Sequence, residues 1–478
     1  MRCPMKLKKF LWIALCLILL AIFLTGILPF CIPRSVTKAF ADTVSVSRFY
    51  GDAPCVDRVA LVETPQEGFD TRIHILDEAE DRIDVSYYAM HMGETTDLFL
   101  GALLDAADRG VQVRILVDGQ FGGLTAGHRD YAAAMGSHPN VSLKLYNPPN
   151  PLKPWTWNSR LHDKYILIDN RLLLLGGRNI GDKYFDPEGC SQILSYDRDV
   201  LVYNTAFAEE TEDSALFSVR DYMDTLWSSQ HVKEPFSKET RRGAKKQASL
   251  LQTFQQFRLH NDALFDHTND NYQDWTYAAN QVTFFHNDTT IGGKRPNAGY
   301  MLGQLLRNAS QSVTLQSPYV ILDRNFKSLL QDLGGKDIDT TVLTNSVAVS
   351  PNPIACTAYF GNRKAIVDSG VRLWEYQGPN TIHAKSYLID DRMSIVGSFN
   401  LDPRSDSIDT ELMLAIDSTD FTRRLAHVQA GYQAHALQVG PDGNYLPGQS
   451  PVEAPISVLK KAMVYCLNPL VQIFKGLT

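Results

Sequence analysis

The 478-residue sequence predicts an α/β protein: two tandem α/β domains with mixed β-sheets, an active site at their interface, and one transmembrane helix in front of them. Three observations carry this reading. A set of His, Lys, Asp and Asn residues occurs twice at matched spacing. Strand-like and helix-like runs alternate around each copy. A long apolar run stands near the N-terminus.

The first copy is His162-Asp163-Lys164-Tyr165-Ile166-Leu167-Ile168-Asp169, followed by Gly176-Gly177-Arg178-Asn179. The second is His383-Ala384-Lys385-Ser386-Tyr387-Leu388-Ile389-Asp390, followed by Gly397-Ser398-Phe399-Asn400. Both read H-x-K-x4-D, and both place the Asn seventeen residues after the His. One copy arises by chance in a chain of this length at a rate on the order of a few per cent, but two copies with matched Asn residues do not. Packed, purely structural histidines are the ordinary explanation of a lone copy; the doubling argues for two half-sites that assemble into one.

Taken in chain order, the elements are these. Arg2, Lys6, Lys8 and Lys9 precede an apolar run from Phe10 to Ile32. Its length suits a membrane span better than a secretory segment, and the positive-inside rule puts its start in the cytoplasm and the rest outside. Ala39-Phe40-Ala41 resembles a signal-peptidase site, but the span length favours an uncleaved anchor. The expected organisation is an anchor over 1–35, a linker over 36–65, a first domain over 66–232, a basic segment over 233–275, a second domain over 276–440 and an amphipathic tail over 441–478.

In the first domain, Ile73–Ala79 reads as a helix end running into a strand over Asp81–Tyr88. Asp97–Arg109 is helical, with Leu98, Leu100, Leu103, Leu104 and Ala107 apolar, and Gly110–Asp118 is a strand. Pro148, Pro149, Pro151, Pro154, Trp155 and Trp157 form a loop packing over the site or an element dipping into lipid. Lys233, Lys238, Arg241, Arg242, Lys245 and Lys246 form a solvated interdomain face or a patch for anionic headgroups. In the second domain, Met301–Ala309, Phe326–Leu333 and Asn362–Ser369 read as helices. Ser312–Tyr319, Ile338–Thr344 and Thr410–Ile416 read as strands. The tail from Ile456 to Thr478 is apolar, carries Lys460, Lys461 and Lys475, and is interrupted by Pro469. It is a core-docking helix or an interfacial one.

Each motif begins in a β-forming run. Strand side chains alternate faces, so His162 and Lys164 share a face, as do His383 and Lys385, while Asp169 and Asp390 fall on the other. Turn signals follow, then return strands over Leu172–Leu175 and Met393–Val396, ending at glycines where backbone can approach a ligand closely. The catalytic candidates are therefore His162, Lys164, Asp169, His383, Lys385 and Asp390, the two Asp in support.

Cleaving a phosphodiester needs a nucleophile, a proton donor for the leaving oxygen and relief of charge on phosphorus. One neutral imidazole can attack and the other, protonated, can give its proton. Lys164, Asn179, Lys385 and Asn400 are suited to hold the phosphate oxygens. A carboxylate on each His would fix its tautomer. This set needs no cofactor. The seven Cys residues show no C-x-x-C or Cys/His zinc spacing, and nothing selects a disulfide pair. The formal net charge of −7 is not that of a general nucleic-acid binder, and no nucleic-acid partner is expected.

The two motifs resemble the HKD signature of the phospholipase D superfamily, over roughly residues 70 to 420. Gly176–Phe185, Ser317-Pro318-Tyr319, Leu343-Thr344-Asn345-Ser346 and Ser398–Ser405 look like its bacterial cardiolipin synthase branch. The resemblance implies two phospholipase D-like domains and phosphatidyl transfer from phosphatidylglycerol at a cell membrane, with phospholipids as partners. It implies His162 as nucleophile and His383 as acid/base, with Asp199 and Glu411 orienting the histidines. Simple phospholipid hydrolysis is the alternative, and a nuclease is disfavoured. The sequence departs from the branch in having Asp409 where Asn is common and one N-terminal span where two are frequent.

Overall fold

The computed structural model describes residues 4–32, 34–125, 127–209, 212–235, 240–268 and 271–478. Arg2, Cys3 and Lys238 lie outside the described residues, as does the side chain of Lys6.

Each half is built on one mixed sheet. Across the first, the strands run Tyr277–Ala278, Asp57–Val62, Asp199–Asn204, Leu172–Gly176, Lys164–Ile168, Arg82–Tyr87, Gln112–Asp118, Val141–Tyr146 and Val232–Lys233. Across the second they run Gln281–His286, Leu412–Asp417, Met393–Gly397, Ser386–Ile389, Ser312–Gln316, Asp339–Asn345, Arg372–Tyr376 and Ala436–Gln438. Apart from the edge strand Tyr277–Ala278, the two orders match strand for strand. In each sheet three neighbouring strands are parallel and joined by crossover helices, Glu94–Asp108 and Arg129–Gly136 in one half, Arg324–Gly334 and Pro353–Val367 in the other. Each motif strand pairs antiparallel with its return strand.

Side-chain alternation on the central strands fills two layers. Ile166 and Ile168 point into a core shared with the helices of the first half, and Tyr165 and Leu167 into a second core. That second core is closed from the other side by Leu388, Val396, Leu412, Leu414 and Ile416 of the second sheet. The sheets thus face each other across a core that also takes in the helices Ala215–Trp227 and Thr419–Gln433, with the crossover helices outside, which explains why these strands are apolar nearly throughout. Two short parallel pairings lock the halves at the motif starts: Ser195–Tyr196 against Thr381–Ile382, and Leu161 against Thr410.

Several expectations shift. The 36–65 linker is structured: it holds the helix Lys38–Thr43, the strand Asp57–Val62 in the first sheet, and Phe49 buried in the core of the second half. The basic segment is not an interdomain face. Its helix Arg241–His260 packs on Glu94–Asp108 and Arg129–Gly136, with Lys246 paired to Asp97 and Arg258 to Asp105. The helix expected from Asn362 starts at Pro353, capped by the Asn352 side chain, which accepts from Ile354 and Ala355 N–H groups. The tail forms the helix Val458–Ile473 on top of Pro353–Val367.

Candidate active site

The motif histidines line one cleft of about 1170 Å³ between the halves, together with Tyr88, Arg160, Asn179, Tyr184, Asn400, Asp402 and Arg404. Lys164 and Lys385 are buried beside them. Lys164 Nζ donates to the His162 carbonyl at 2.6 Å. Lys385 Nζ donates to the His383 carbonyl and lies 2.9 and 3.2 Å from the two ring nitrogens of His383.

The carboxylates are exchanged between the halves. Glu411, from just before a strand of the second sheet, lies 2.8 Å from Nδ1 of His162 in the first motif, close but out of line for a hydrogen bond. Asp197, from just before a strand of the first sheet, contacts Nδ1 of His383 in the second motif at 2.5 Å. The two inter-domain pairings explain the exchange. Leu161 beside Thr410 sets His162 against Glu411, and Ile382 beside Tyr196 sets His383 against Asp197.

Asp199 does not orient a histidine. It pairs with Arg72 at 2.9 Å and Arg178 at 3.1 Å, inside the first half. In the Asp197-Arg198-Asp199 run the role falls two residues earlier than the sequence suggested. The register shows why. Gly176 faces Asp199 and Gly397 faces Met413, so Asp199 corresponds to Met413 and Asp197 to Glu411. That correspondence needs the strand register, because Asp199 follows Gly176 by 23 residues and Met413 follows Gly397 by 16.

Asp169 and Asp390 are also away from the cleft. Asp169 adopts φ 50° and accepts the backbone N–H groups of Glu80, Asp81 and Arg82 at 3.1, 3.0 and 2.7 Å. Asp390, at φ 52°, does the same for Ser310, Gln311 and Ser312. Each pins the turn after its motif strand to the start of the neighbouring strand, because a short carboxylate in the left-handed region can reach the next backbone amides. They are supports and touch no reacting group.

Asn179 and Asn400 reach the cleft. Asn179 Nδ2 donates to Tyr184 Oη at 3.0 Å, and the Oδ1 atoms of both Asn residues are buried without a hydrogen-bond partner among the described residues. Buried unpaired polar atoms in a cleft are what a polar ligand would satisfy.

Sequence reasoning missed several groups. Thr410 Oγ1 accepts the His162 N–H at 2.9 Å and donates to the buried Asp163 at 2.6 Å. Ser405 donates to Glu411 at 2.6 Å, and Ser398 donates to its other oxygen. Asp409 accepts the Arg160 N–H at 3.0 Å and pairs with Arg404 at 2.8 Å, which accounts for an acid at that position. Arg160 and Arg404 add positive charge to the cleft wall; Arg404 lay within a quoted motif but its spacing carried no signal.

Burial and crowding of like charge set the proton affinities. Burial, then Lys164, drives His162 well below its ordinary value. Burial, then Lys385, lowers His383 to about 3. Burial, then Lys385, lowers Lys164 to about 7, and burial lowers Lys385 to about 8. The acids separate. Burial raises Glu411 to about 7, whereas at Asp197 the burial penalty is outweighed by Lys385 and His383, and it stays ionised.

Residues 73–215 and 302–429 match a family model described as cardiolipin synthase, PLD-like domain. Cardiolipin synthase C of Escherichia coli is 26% identical, over 78% of this chain and 84% of that one. A cardiolipin synthase of Staphylococcus aureus is 25% identical, over 75% of this chain and 64% of its own length. The crystal structure of phosphatidylserine synthase from Haemophilus influenzae superposes with a TM-score of 0.60 at 17% identity, covering 87% of this chain and 95% of that one, which is a likeness of fold.

Proposed function

Because the chain belongs to the phospholipase D-like family described as cardiolipin synthase, PLD-like domain, we propose that it is a phosphatidyltransferase that makes cardiolipin from phosphatidylglycerol through a phosphatidyl-histidine. The observation that carries the reading is the cleft in which both motif histidines meet, each against a carboxylate from the opposite half.

The two carboxylates divide the roles. Ionised Asp197 stabilises an imidazolium, so His383 is the acid/base. Glu411, whose charge is disfavoured by burial, leaves His162 neutral, so His162 is the nucleophile. With Nδ1 of His162 against Glu411, Nε2 attacks phosphorus of the first phosphatidylglycerol. The P–O bond to glycerol breaks, and His383 gives its proton to that oxygen. The hydroxyl of a second phosphatidylglycerol then loses its proton to His383 and attacks phosphorus, the P–N bond breaks, and cardiolipin leaves. Lys164 and Lys385 offset the charge on the phosphoryl oxygens. Asn400 and Asn179 offer amide hydrogens to those oxygens once their side-chain amides are turned over. The unliganded site repels protons from His383; a bound phosphodiester supplies the negative charge that lets it carry one.

A membrane location fits the surface around this cleft. The helical stretch Lys8–Cys31 is long and apolar enough to cross a bilayer, with Phe10 and Trp12 both 67% exposed. Its far end abuts the mouth of the cleft: Asn158, a cleft residue, donates to the Gly26 carbonyl at 2.5 Å, and a Cβ on Gly476 would meet the Phe30 carbonyl at 3.1 Å. The helix Val458–Ile473 buries Val464 and Val471 and turns Leu459, Ala462, Cys466, Leu470 and Ile473 outward in one stripe. That stripe suits the acyl boundary of a bilayer. Lys8 and Lys9 at the start of that stretch favour a cytoplasmic start, with the two domains on the outer face.

Purified full-length protein incubated with phosphatidylglycerol in mixed micelles, beside His162→Ala, tests the reading. Cardiolipin and glycerol from the wild type alone support it. Phosphatidic acid as the sole product makes the protein a hydrolase, and no lipid turnover by folded protein overturns both.

A further inference from the structure

We infer that His74, Glu78 and His267 bind one Zn²⁺ on the outer flank of the first domain, remote from the phosphodiester site and independent of its chemistry. His74 lies on the helix Pro65–Asp77, and Glu78 caps that helix one turn later on the same face. His267 arrives from the segment after the helix Arg241–His260. One ligand atom from each residue lies within 4.8 Å of the other two, and Glu78 Oε1 faces both His74 Nε2 and His267 Nδ1.

The spacing fits a tetrahedral ion. Zinc with bonds of about 2.0–2.1 Å sets its ligand atoms about 3.3–3.4 Å apart. Glu78 Oε1 stands 3.4 Å from His267 Nδ1 and 3.8 Å from His74 Nε2, so small side-chain rotations close the cage. Two imidazole nitrogens and one carboxylate oxygen are a zinc set rather than a magnesium or calcium one. Glu78 is 5% exposed, His74 19% and His267 30%, so the cage is within reach of an ion from solvent.

The far atom of every ligand is already held. His74 Nδ1 meets the Leu264 carbonyl at 2.9 Å, which puts its proton there and turns the Nε2 lone pair to the cage. His267 Nε2 meets Asp77 at 2.9 Å. Glu78 Oε2 accepts from Tyr272 Oη at 2.7 Å. Such outer partners fix tautomer and direction in histidine metal sites. A cation shared by His74, Glu78 and His267 would tie the three together, and either a metal ion or a proton can supply it. With zinc, the site clips the segment 261–268 onto the first domain.

The experiment decides between the two cations. Full-length protein in detergent, stripped with a chelator, is titrated with zinc chloride beside His267→Gln, His74→Gln and Tyr272→Phe. The expected result is one tight equivalent in the wild type that both His variants lack, with X-ray absorption showing nitrogen and oxygen neighbours. Tyr272→Phe, which loses only an outer partner, should weaken that equivalent by about tenfold and keep the fold. Equal tight binding by the wild type and both His variants, or none by the wild type, overturns the site and leaves protonated histidines as the link.

Discussion

Gly177 packs so closely on the Asp197 carboxylate that a Cβ there would collide with Oδ1. The same carboxylate holds Nδ1 of His383 and accepts the Arg198 N–H at 3.0 Å, so it has little freedom to withdraw. Gly177→Ala should therefore impair His383 through Asp197, a milder form of Asp197→Asn. In Ser-His-Asp sites the corresponding change costs about 10⁴-fold in turnover, and Asp197→Asn should lower turnover here by about 10³-fold or more. Asp199→Asn should behave differently. It leaves Arg72 and Arg178 buried without their anion, at a cost of about 3–5 kcal/mol, and should appear as a lower melting temperature. Turnover and thermal midpoint measured on both variants separate the two acids. From sequence alone this pair was ambiguous, because two acids flank one Arg and nothing local says which lies against the histidine. The histidines, lysines and asparagines were legible because both copies repeat them; Thr410, Ser405 and Arg404 were not, since their roles depend on where the other half sits.

The lysines give the site a pH signature. Lys164 and Lys385 are lowered to about 7 and about 8, by burial above all. Below pH 7 both are charged in the free site and an anion binds directly. As pH rises through 7 to 8 they lose protons, and an anion must bring those protons in, so affinity falls by up to about tenfold per pH unit for each proton taken up. Titration calorimetry with dimethyl phosphate, a phosphodiester whose single charge is fixed over this range, in buffers of different ionisation enthalpy should show net proton uptake at pH 8 and weaker binding than at pH 6.5. Binding independent of pH over that range would mean the lysines stay charged in the free site.

At the scale of elements, the C-terminal helix is the most informative. Leu470 and Ile473 are 55% and 69% exposed, so Leu470→Glu with Ile473→Glu should leave stability in detergent nearly unchanged, within about 0.5 kcal/mol per site. In phospholipid vesicles the same variant should turn over lipid several-fold more slowly, if the stripe rests in the bilayer. Equal loss in micelles and vesicles would instead point to damage within the cleft. The tail was readable as amphipathic, but the choice between docking and interfacial roles was not, since one helix does both: Val464 and Val471 dock while the opposite stripe faces out. Central strands were well read because each is a short apolar run bounded by turn residues. The strand Asp57–Val62 was missed because it joins its sheet beside Asp199–Asn204, a partner far along the chain that no local pattern reveals.

At the scale of the molecule, two sheets of the same strand order face each other, and each half supplies the carboxylate for the other half's histidine. The duplication was plain in the sequence, and it led to the expectation of a shared site. The exchange of carboxylates was hidden, because it follows from the pairing of Leu161 with Thr410 and of Ile382 with Tyr196 across the domain boundary. A single half, even with its own motif intact, therefore lacks the carboxylate that its histidine meets in this structure.

The central claim is that His162 carries the phosphatidyl group and His383 moves the proton. A phosphatidyl ester of nitrophenol tests it directly, because that leaving group needs no proton. With His383→Ala the first step should still proceed while the second stalls. Acid-free quenching and peptide mass spectrometry should then find the phosphatidyl adduct on the peptide containing His162, with a burst of about one nitrophenol per site. An adduct on the His383 peptide of the His162→Ala variant, with none on His162 in His383→Ala, would reverse the two roles and contradict the account.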